Sequence, residues 1–327
     1  LLLVGDVFQL EPVVKGDEKE ILNRFYPTPY FFSARVFSEI DLVSVELQKV
    51  YRQTDKVFVN VLDHIRSNTA GAADLQLLNT RYGTDIEQNE ADMYITLATR
   101  RDNVDYINER KLTELPGDPV TFRGEIRGDF PESSLPTSLD LVLKPGAQII
   151  FLKNDFDKRW VNGTIGVVSG FDEKEETLYV ITDDGKECDV KRESWRNIRY
   201  TYNEKKKQIE EEELGTFTQY PIRLAWAITV HKSQGLTFSR VIIDFTGGVF
   251  AGGQAYVALS RCTSLEGIQL RKPVSRADIF VRPEILNFSE RFNNQQAIDR
   301  ALKQAQADVQ YVAATKAFDK GEFDTFL

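Results

Sequence analysis

The sequence holds two cysteines and one methionine in 327 residues, no basic surplus and no long apolar run. Each shortage excludes something. Cys188 and Cys262 stand far apart without CxxC or Cys/His ligand spacing. Neither a disulfide framework nor a structural zinc site is expected, and a reducing, cytosolic setting fits. No stretch approaches the roughly 18 uninterrupted apolar residues of a membrane-spanning helix. Leu1 to Val4 runs into Gly5-Asp6 with no basic region or cleavage site before it, so neither a span nor an export signal is expected. With 41 basic residues against 50 acidic, net −9, overall charge cannot hold the chain on nucleic acid, because counterion release needs a clustered basic surface. A narrow binding channel stays compatible with that balance. An initiator methionine is lacking too: Met93 is alone, and the chain opens inside what reads as a buried strand. It is therefore expected to be the later part of a longer protein.

What is present fits a globular chain. Hydrophobic residues make up 42% and charged residues 28%, the balance of about two domains at ~150 residues each, and not of disorder or a fibrous repeat. The run Leu1 to Val4, ended by Gly-Asp, reads as a strand covered on both faces of a parallel sheet. Strand and helix patterns then alternate. Residues 57–79 and 102–112 read as helical, 94–98 and 148–152 as extended, and 224–230, 241–245 and 254–261 as strand, strand and helix. That alternation predicts a doubly wound α/β layer. From Val161 to Tyr220 the texture changes to short β-rich runs separated by glycines. Asp184-Gly185, between Thr177–Thr182 and Glu187–Val190, predicts a hairpin, since both turn residues tolerate positive φ. A small β-barrel-like insertion is expected there, with Lys205-Lys206-Lys207 and Glu210 to Glu213 at a solvated hairpin tip. Residues from Pro283 onward read as helical, and Ala313 to Phe326 could open a helical repeat.

Four clusters carry possible chemistry. Gly5-Asp6-Val7-Phe8-Gln9 follows the first strand, where doubly wound sheets bind ligands, although Gly-Asp alone is an ordinary turn. Arg52, in Leu47 to Gln53, has the planar fork that suits phosphate oxygens, but an arginine by itself is more often an ion-pair residue. Thr229, His231, Lys232, Ser233, Gln234 and Gly235 crowd polar groups directly after a buried strand. Such groups can hold a phosphodiester backbone without reading bases, and Gly235 permits close approach. Gly252-Gly253 opens a helix that delivers Arg261 near its far end. An arginine there can stabilise charge developing in phosphoryl transfer, or merely complement the helix dipole.

In this order, and with a β insertion before the third, the clusters resemble the 5′-to-3′ DNA helicases of superfamily one, the Pif-type and RecD-like branch. GDVFQLEPV looks like the third helicase motif, LQKVYRQ the fourth, LATRRDNVDYIN the DNA-contacting motif after it, AITVHKSQGLT the fifth and AYVALSRC the sixth. The resemblance implies an α/β fold: a RecA-like doubly wound sheet (lobe 2A, residues 47–160 and 221–282) with an SH3-like barrel inserted (2B, 161–220). It also implies a remnant of lobe 1A (1–46) and a helical tail (283–327). It implies that Gly5, Asp6, Gln9, Arg52, Gln234, Gly235 and Arg261 lie at ATP with Mg2+, with Gln9, Arg52 and Arg261 catalytic. Thr99, Asn108, Thr229, His231, Lys232 and Ser233 would lie along single-stranded DNA, and forked duplex DNA is the expected partner of a monomer in the cytoplasm or at the nucleoid.

The sequence departs from the family in lacking any GxxxxGK[ST] and any aliphatic run ending in Asp-Glu. Gly185-Lys186 is a hairpin turn, and Asp172-Glu173 follows Gly170-Phe171 in another. Two rival readings follow: a nucleic-acid-binding module with a vestigial nucleotide pocket, or a hydrolase built on His64 or His231 with Cys262.

Overall fold

The computed structural model describes residues 2–14, 16–40, 42–84, 93–172, 174–204 and 206–321. Leu1, Glu173, Lys205 and the end of the Ala313–Phe326 segment lie outside the described residues. No helix among those described is long and apolar enough to cross a membrane.

After a short helix α1 (Gly16–Phe25), helices α2 (Lys56–Arg66) and α3 (Ala72–Asn79) lead to β1 (Ile95–Ala98) and α4 (Arg101–Glu114). The expected helix over 57–79 is thus two, parted where Asn68 turns to φ 62°. Asp55 starts α2 by accepting the Val57 N–H, and Phe58, Val61, Leu62 and Ile65 form its buried stripe at helical spacing. β1 lies inside a parallel sheet ordered β12-β1-β13-β14, completed by β12 (Ala227–Thr229), β13 (Val241–Asp244) and β14 (Ile268–Leu270), with α5 (Gln254–Leu259) before the last. α4 covers one face through Val104 and Ile107, while α2 and α5 join the main core on the other. Both faces are therefore buried, as a doubly wound layer requires.

Everything between α4 and β12 is antiparallel. β2 (Val120–Arg123) pairs with β4 (Asp140–Leu143), and β3 (Glu125–Gly128) with the long hairpin β9 (Glu193–Asn203) and β10 (Gln208–Gln219). β5 (Gln148–Phe151), β6 (Ile165–Asp172), β7 (Thr177–Thr182) and β8 (Glu187–Val190) form a five-stranded sheet with β11 (Ile222–Leu224). The predicted hairpin is β7–β8, and Lys206 and Glu210 pair across the β9–β10 tip at 2.8 Å. Two expectations need correction. The antiparallel region begins at Val120, ahead of Val161, because β5 hydrogen-bonds to β6 and β11 and not to the parallel sheet. Residues 224–230 also do not form one strand: the chain leaves the antiparallel sheet at Leu224 and enters the parallel one at Ala227.

The opening run is a third correction. Leu2 and Val4 are 84% and 88% exposed and form no strand. An apolar run becomes a strand only where neighbours supply its backbone partners, and among the described residues no strand pairs with Leu2 to Val4. The rest of the opening segment docks on α6 (Pro283–Ser289): Tyr30 stacks on Phe32, and Phe32 on Phe288, with centroids 5.2 and 4.3 Å apart. Arg282 clamps Glu11 with two hydrogen bonds of 3.0 and 3.2 Å. Helix α7 (Gln295–Asp319) ends the described chain.

Candidate functional site

Two regions gather the predicted residues. The first forms where α2 packs on α5, which sets Arg52, just before one helix, against Arg261, just after the other. Arg261 is 2% exposed. Its guanidinium donates to Val257 O (3.0 Å), Leu236 O (3.3 Å) and Ser260 Oγ (3.0 Å). Arg52 donates to Thr237 Oγ1 (2.8 Å) and to Ser260 O (3.2 Å), so Ser260 touches both arginines. Gln53 fastens the same turn through Ser260 O and Cys262 O.

Among the described residues, neither guanidinium has a carboxylate within ion-pair distance. Burial and the adjacent Arg52 charge pull Arg261 down to about 10, and burial lowers Arg52 as well. Buried charge of one sign without a carboxylate at ion-pair distance costs stability, a cost that an incoming anion would relieve. The nearest acid, Asp6, is already engaged: Arg66 lies 3.8 Å from it, and Gln9 Nε2 and the Tyr256 hydroxyl each donate to it at 3.4 Å. Burial and Asp6 raise Tyr256 to about 12, which keeps its hydroxyl a donor.

Glycines set the approach. Gly253 (φ 76°) has no room for a Cβ, which would collide with the carbonyl oxygens of Phe8 and Gln9, so α5 and the Asp6–Gln9 turn meet backbone to backbone. Gly235 (φ 80°) faces open space beside the arginines, as close ligand approach requires. Gly5 is exposed. Gln234 does not hydrogen-bond to the arginines through its side chain. It lines a cavity of about 220 Å³ with Arg223, Lys232 and Asn162.

The second region is a cleft of about 1410 Å³ along the carboxyl ends of β1 and β12, lined by Thr99, Asn108, Thr229, His231 and Lys232 among others. Arg100, Arg101 and Arg223 line it too, together with the carboxylates Asp102, Asp105, Glu109, Glu132 and Asp140, so the wall is mixed in charge. Burial, then the Arg223 and Arg101 charges, lower Lys232 to about 8; burial alone takes Arg223 to about 10 and keeps the His231 imidazole below its ordinary range. Thr99 Oγ1 is buried on this wall with no hydrogen-bond partner.

Two predicted DNA residues behave otherwise. Ser233 is fully buried and donates to Val230 O at 2.7 Å, because the turn His231–Ser233 points it inward. Asn108 commits both ends of its amide to the Ala227 backbone at 2.9 Å, which makes it a brace between α4 and β12. The hydrolase reading finds no dyad. His64 pairs with Asp74 at 3.0 Å, and Cys262 is buried with its thiol pushed up by burial and donating to Ser239 O.

Sequence reasoning missed Arg66 and Tyr256 in the first region and Arg100, Arg101, Arg223 and Phe250 in the second. Tyr256, Arg100 and Arg101 stand inside the quoted motifs, and Phe250 lies between two glycine pairs. Arg66 and Arg223 carry no local signal: one reads as an ordinary cation ending a helix, the other as a polar strand position.

No protein-family model matches the chain. The ATP-dependent DNA helicase Pif1 of Campylobacter jejuni is 30% identical over 278 residues, 81% of this chain and 61% of that protein. Bacteroides Pif1 bound to ssDNA is 39% identical with a TM-score of 0.66, covering 88% of this chain and 65% of that one. Bacteroides sp. Pif1 in complex with ADP-AlF4 matches over the same shares at a TM-score of 0.75. The chain spans less than two thirds of the length of these relatives, and its parallel sheet is RecA-like. With sequence and fold in agreement over most of its length, the chain belongs to the Pif1-type family of DNA helicases.

Proposed function

We propose that this chain supplies the phosphate-sensing and strand-gripping lobe of an ATP-driven motor that moves 5′ to 3′ on single-stranded DNA and displaces the paired strand at a fork. The observation that carries the reading is the Arg52–Arg261 pair: two half-buried or buried guanidiniums side by side, sharing Ser260 and lacking a carboxylate. A terminal phosphoryl group is the anion such a pair fits, since planar forks match its oxygens.

Arg52 and Arg261 would neutralise charge developing on that phosphoryl, and Gln9 would orient the attacking water. Mg2+ is proposed as the nucleotide's counter-ion, with no ligand assigned from this chain. The turn that bears Gln9 touches Gly253, so a change at the phosphates reaches α5 directly. Such closure moves DNA only if the strand is held with different strength in the two nucleotide states. Contacts from Thr99, Thr229, His231 and Lys232 would follow the backbone and leave the motor largely sequence-tolerant. Residues 161–220, which supply β6, β7 and β8 of the five-stranded sheet, are read as the SH3-like insertion, and the working form as a monomer in the cytoplasm or at the nucleoid.

The binding-module reading is weaker, because a vestigial pocket would gain stability by losing two buried, uncompensated charges. The experiment compares strand displacement by the complete protein on duplexes with a 5′ or a 3′ single-stranded tail. Displacement from the 5′ tail alone, driven by ATP, is expected, and none from either tail would sink the reading. The chain alone should not hydrolyse ATP, having no GxxxxGK[ST] cradle.

A further inference from the structure

The segment Gly247–Gly253 lies between β13 and α5; its residues 247–251 belong to none of the four clusters, yet the segment touches both regions. At its start Arg100 Nε donates to Gly247 O at 2.8 Å, and a side chain at Gly247 would strike Arg100. At its end Gly253 lies on Phe8 and Gln9. Between them Phe250 is held from behind: its backbone N–H donates to the fully buried Gln254 Oε1 at 3.1 Å. Its ring lies nearly parallel to His231, 18° between planes and 6.2 Å between centroids, at the wall of the large cleft.

Phe250 is 56% exposed, and what sets it apart from other exposed apolar side chains is its place on the cleft wall with its ring parallel to His231. The cations of the cleft attract phosphates, but they give the bases nothing to rest on. Single strands are commonly held by aromatic faces next to a charged groove, because every base has a π-face. We propose that Phe250, backed by His231, is a stacking platform for one base of the bound strand, carried on a segment anchored against both the Thr99–Arg100 wall and the Gln9 turn. The proposal rests on the reading of the cleft as a single-strand groove and adds a residue that contacts base and not phosphate. Burial supports it by keeping His231 uncharged at neutral pH, so that its ring backs Phe250 as a neutral aromatic.

The test measures binding of this 327-residue chain to a dT strand and to an abasic strand of equal length, at several salt concentrations. Both strands carry the same phosphates, and only one carries bases. Phe250→Ala should weaken dT binding by about 5- to 100-fold, leave abasic binding unchanged and leave the salt slope unchanged. Phe250→Leu, which keeps apolar bulk without a π-face, should behave like alanine, and Phe250→Trp should restore binding. Equal weakening on both strands, full rescue by leucine, or unaltered dT binding by Phe250→Ala would each overturn the platform. Failure of the unsubstituted chain to bind either strand would overturn the groove itself, and the platform with it. Thermal melts identify any variant that fails to fold, and the tryptophan variant keeps the test decisive in that case.

Discussion

The arginine pair and the large cleft differ in how their cations are held. Around Arg261 the guanidiniums are fixed by carbonyls and two hydroxyls, one is almost sealed from solvent, and Asp6 is at ion-pair distance from Arg66. Along the cleft Arg101 is 89% exposed at its side chain, Lys232 has a depressed pKa near neutrality, and an aromatic ring stands open. The first arrangement suits a single phosphoryl group whose charge must be met in one geometry. The second suits a polymer that slides, where many loose contacts serve better than a few rigid ones. Fixed dipoles and charges act most strongly where they need no reorganisation; mobile ones tolerate any sequence passing by.

That contrast can be broken, most severely at its rigid end. In the complete protein Arg261→Ala should lower DNA-stimulated ATP hydrolysis by roughly 10³- to 10⁵-fold, the range for a transition-state arginine, while nucleotide affinity stays nearly intact. Comparable loss of both would move Arg261 to ground-state binding. An intermediate effect belongs to the brace. Asn108→Ala leaves the Ala227 N–H and C=O without their partners, which should cost about 1–3 kcal/mol of stability, read as a lower denaturant midpoint. The affinity of the folded protein for single strands should be unchanged. An affinity loss without a stability loss would return Asn108 to the DNA. The smallest effect lies in the cleft. Lys232 titrates near 8 because burial and Arg223 disfavour its charge, and a bound phosphate favours that charge. Affinity should therefore be insensitive to this group below pH 8 and fall above it, by at most about tenfold per pH unit for one proton. Lys232→Arg, charged throughout, should remove the fall; a fall that persists in that variant would exclude Lys232 as its cause.

The legible parts were those set by local pattern. The β7–β8 hairpin followed from Asp184-Gly185 between alternating strands, and α4, β1 and β13 from periodicity, because their determinants lie within a few residues of one another. Residues 148–151 are the strand their pattern predicts but join the antiparallel sheet, and Leu2 to Val4 pair with no described strand, because an apolar run says that a strand wants burial, not which sheet will bury it. Ser233 and Asn108 were polar residues in the right motif whose side chains turned out to satisfy the backbone nearby, which spacing cannot reveal.

By itself the sequence determined where phosphate-type and strand-type chemistry is stored: Gln9, Arg52, the Thr229–Gly235 turn and Arg261 are recognisable as residue types at fixed local spacing. Only the tertiary structure decided that Arg52 and Arg261 meet at Ser260, that Asp6 lies at ion-pair distance from Arg66 and not from either of them, and that Phe250 comes to rest on His231. Those outcomes join residues up to 208 positions apart. Their energies come from packing α2 on α5 and folding one segment against two walls, and neither is encoded in any short stretch of chain.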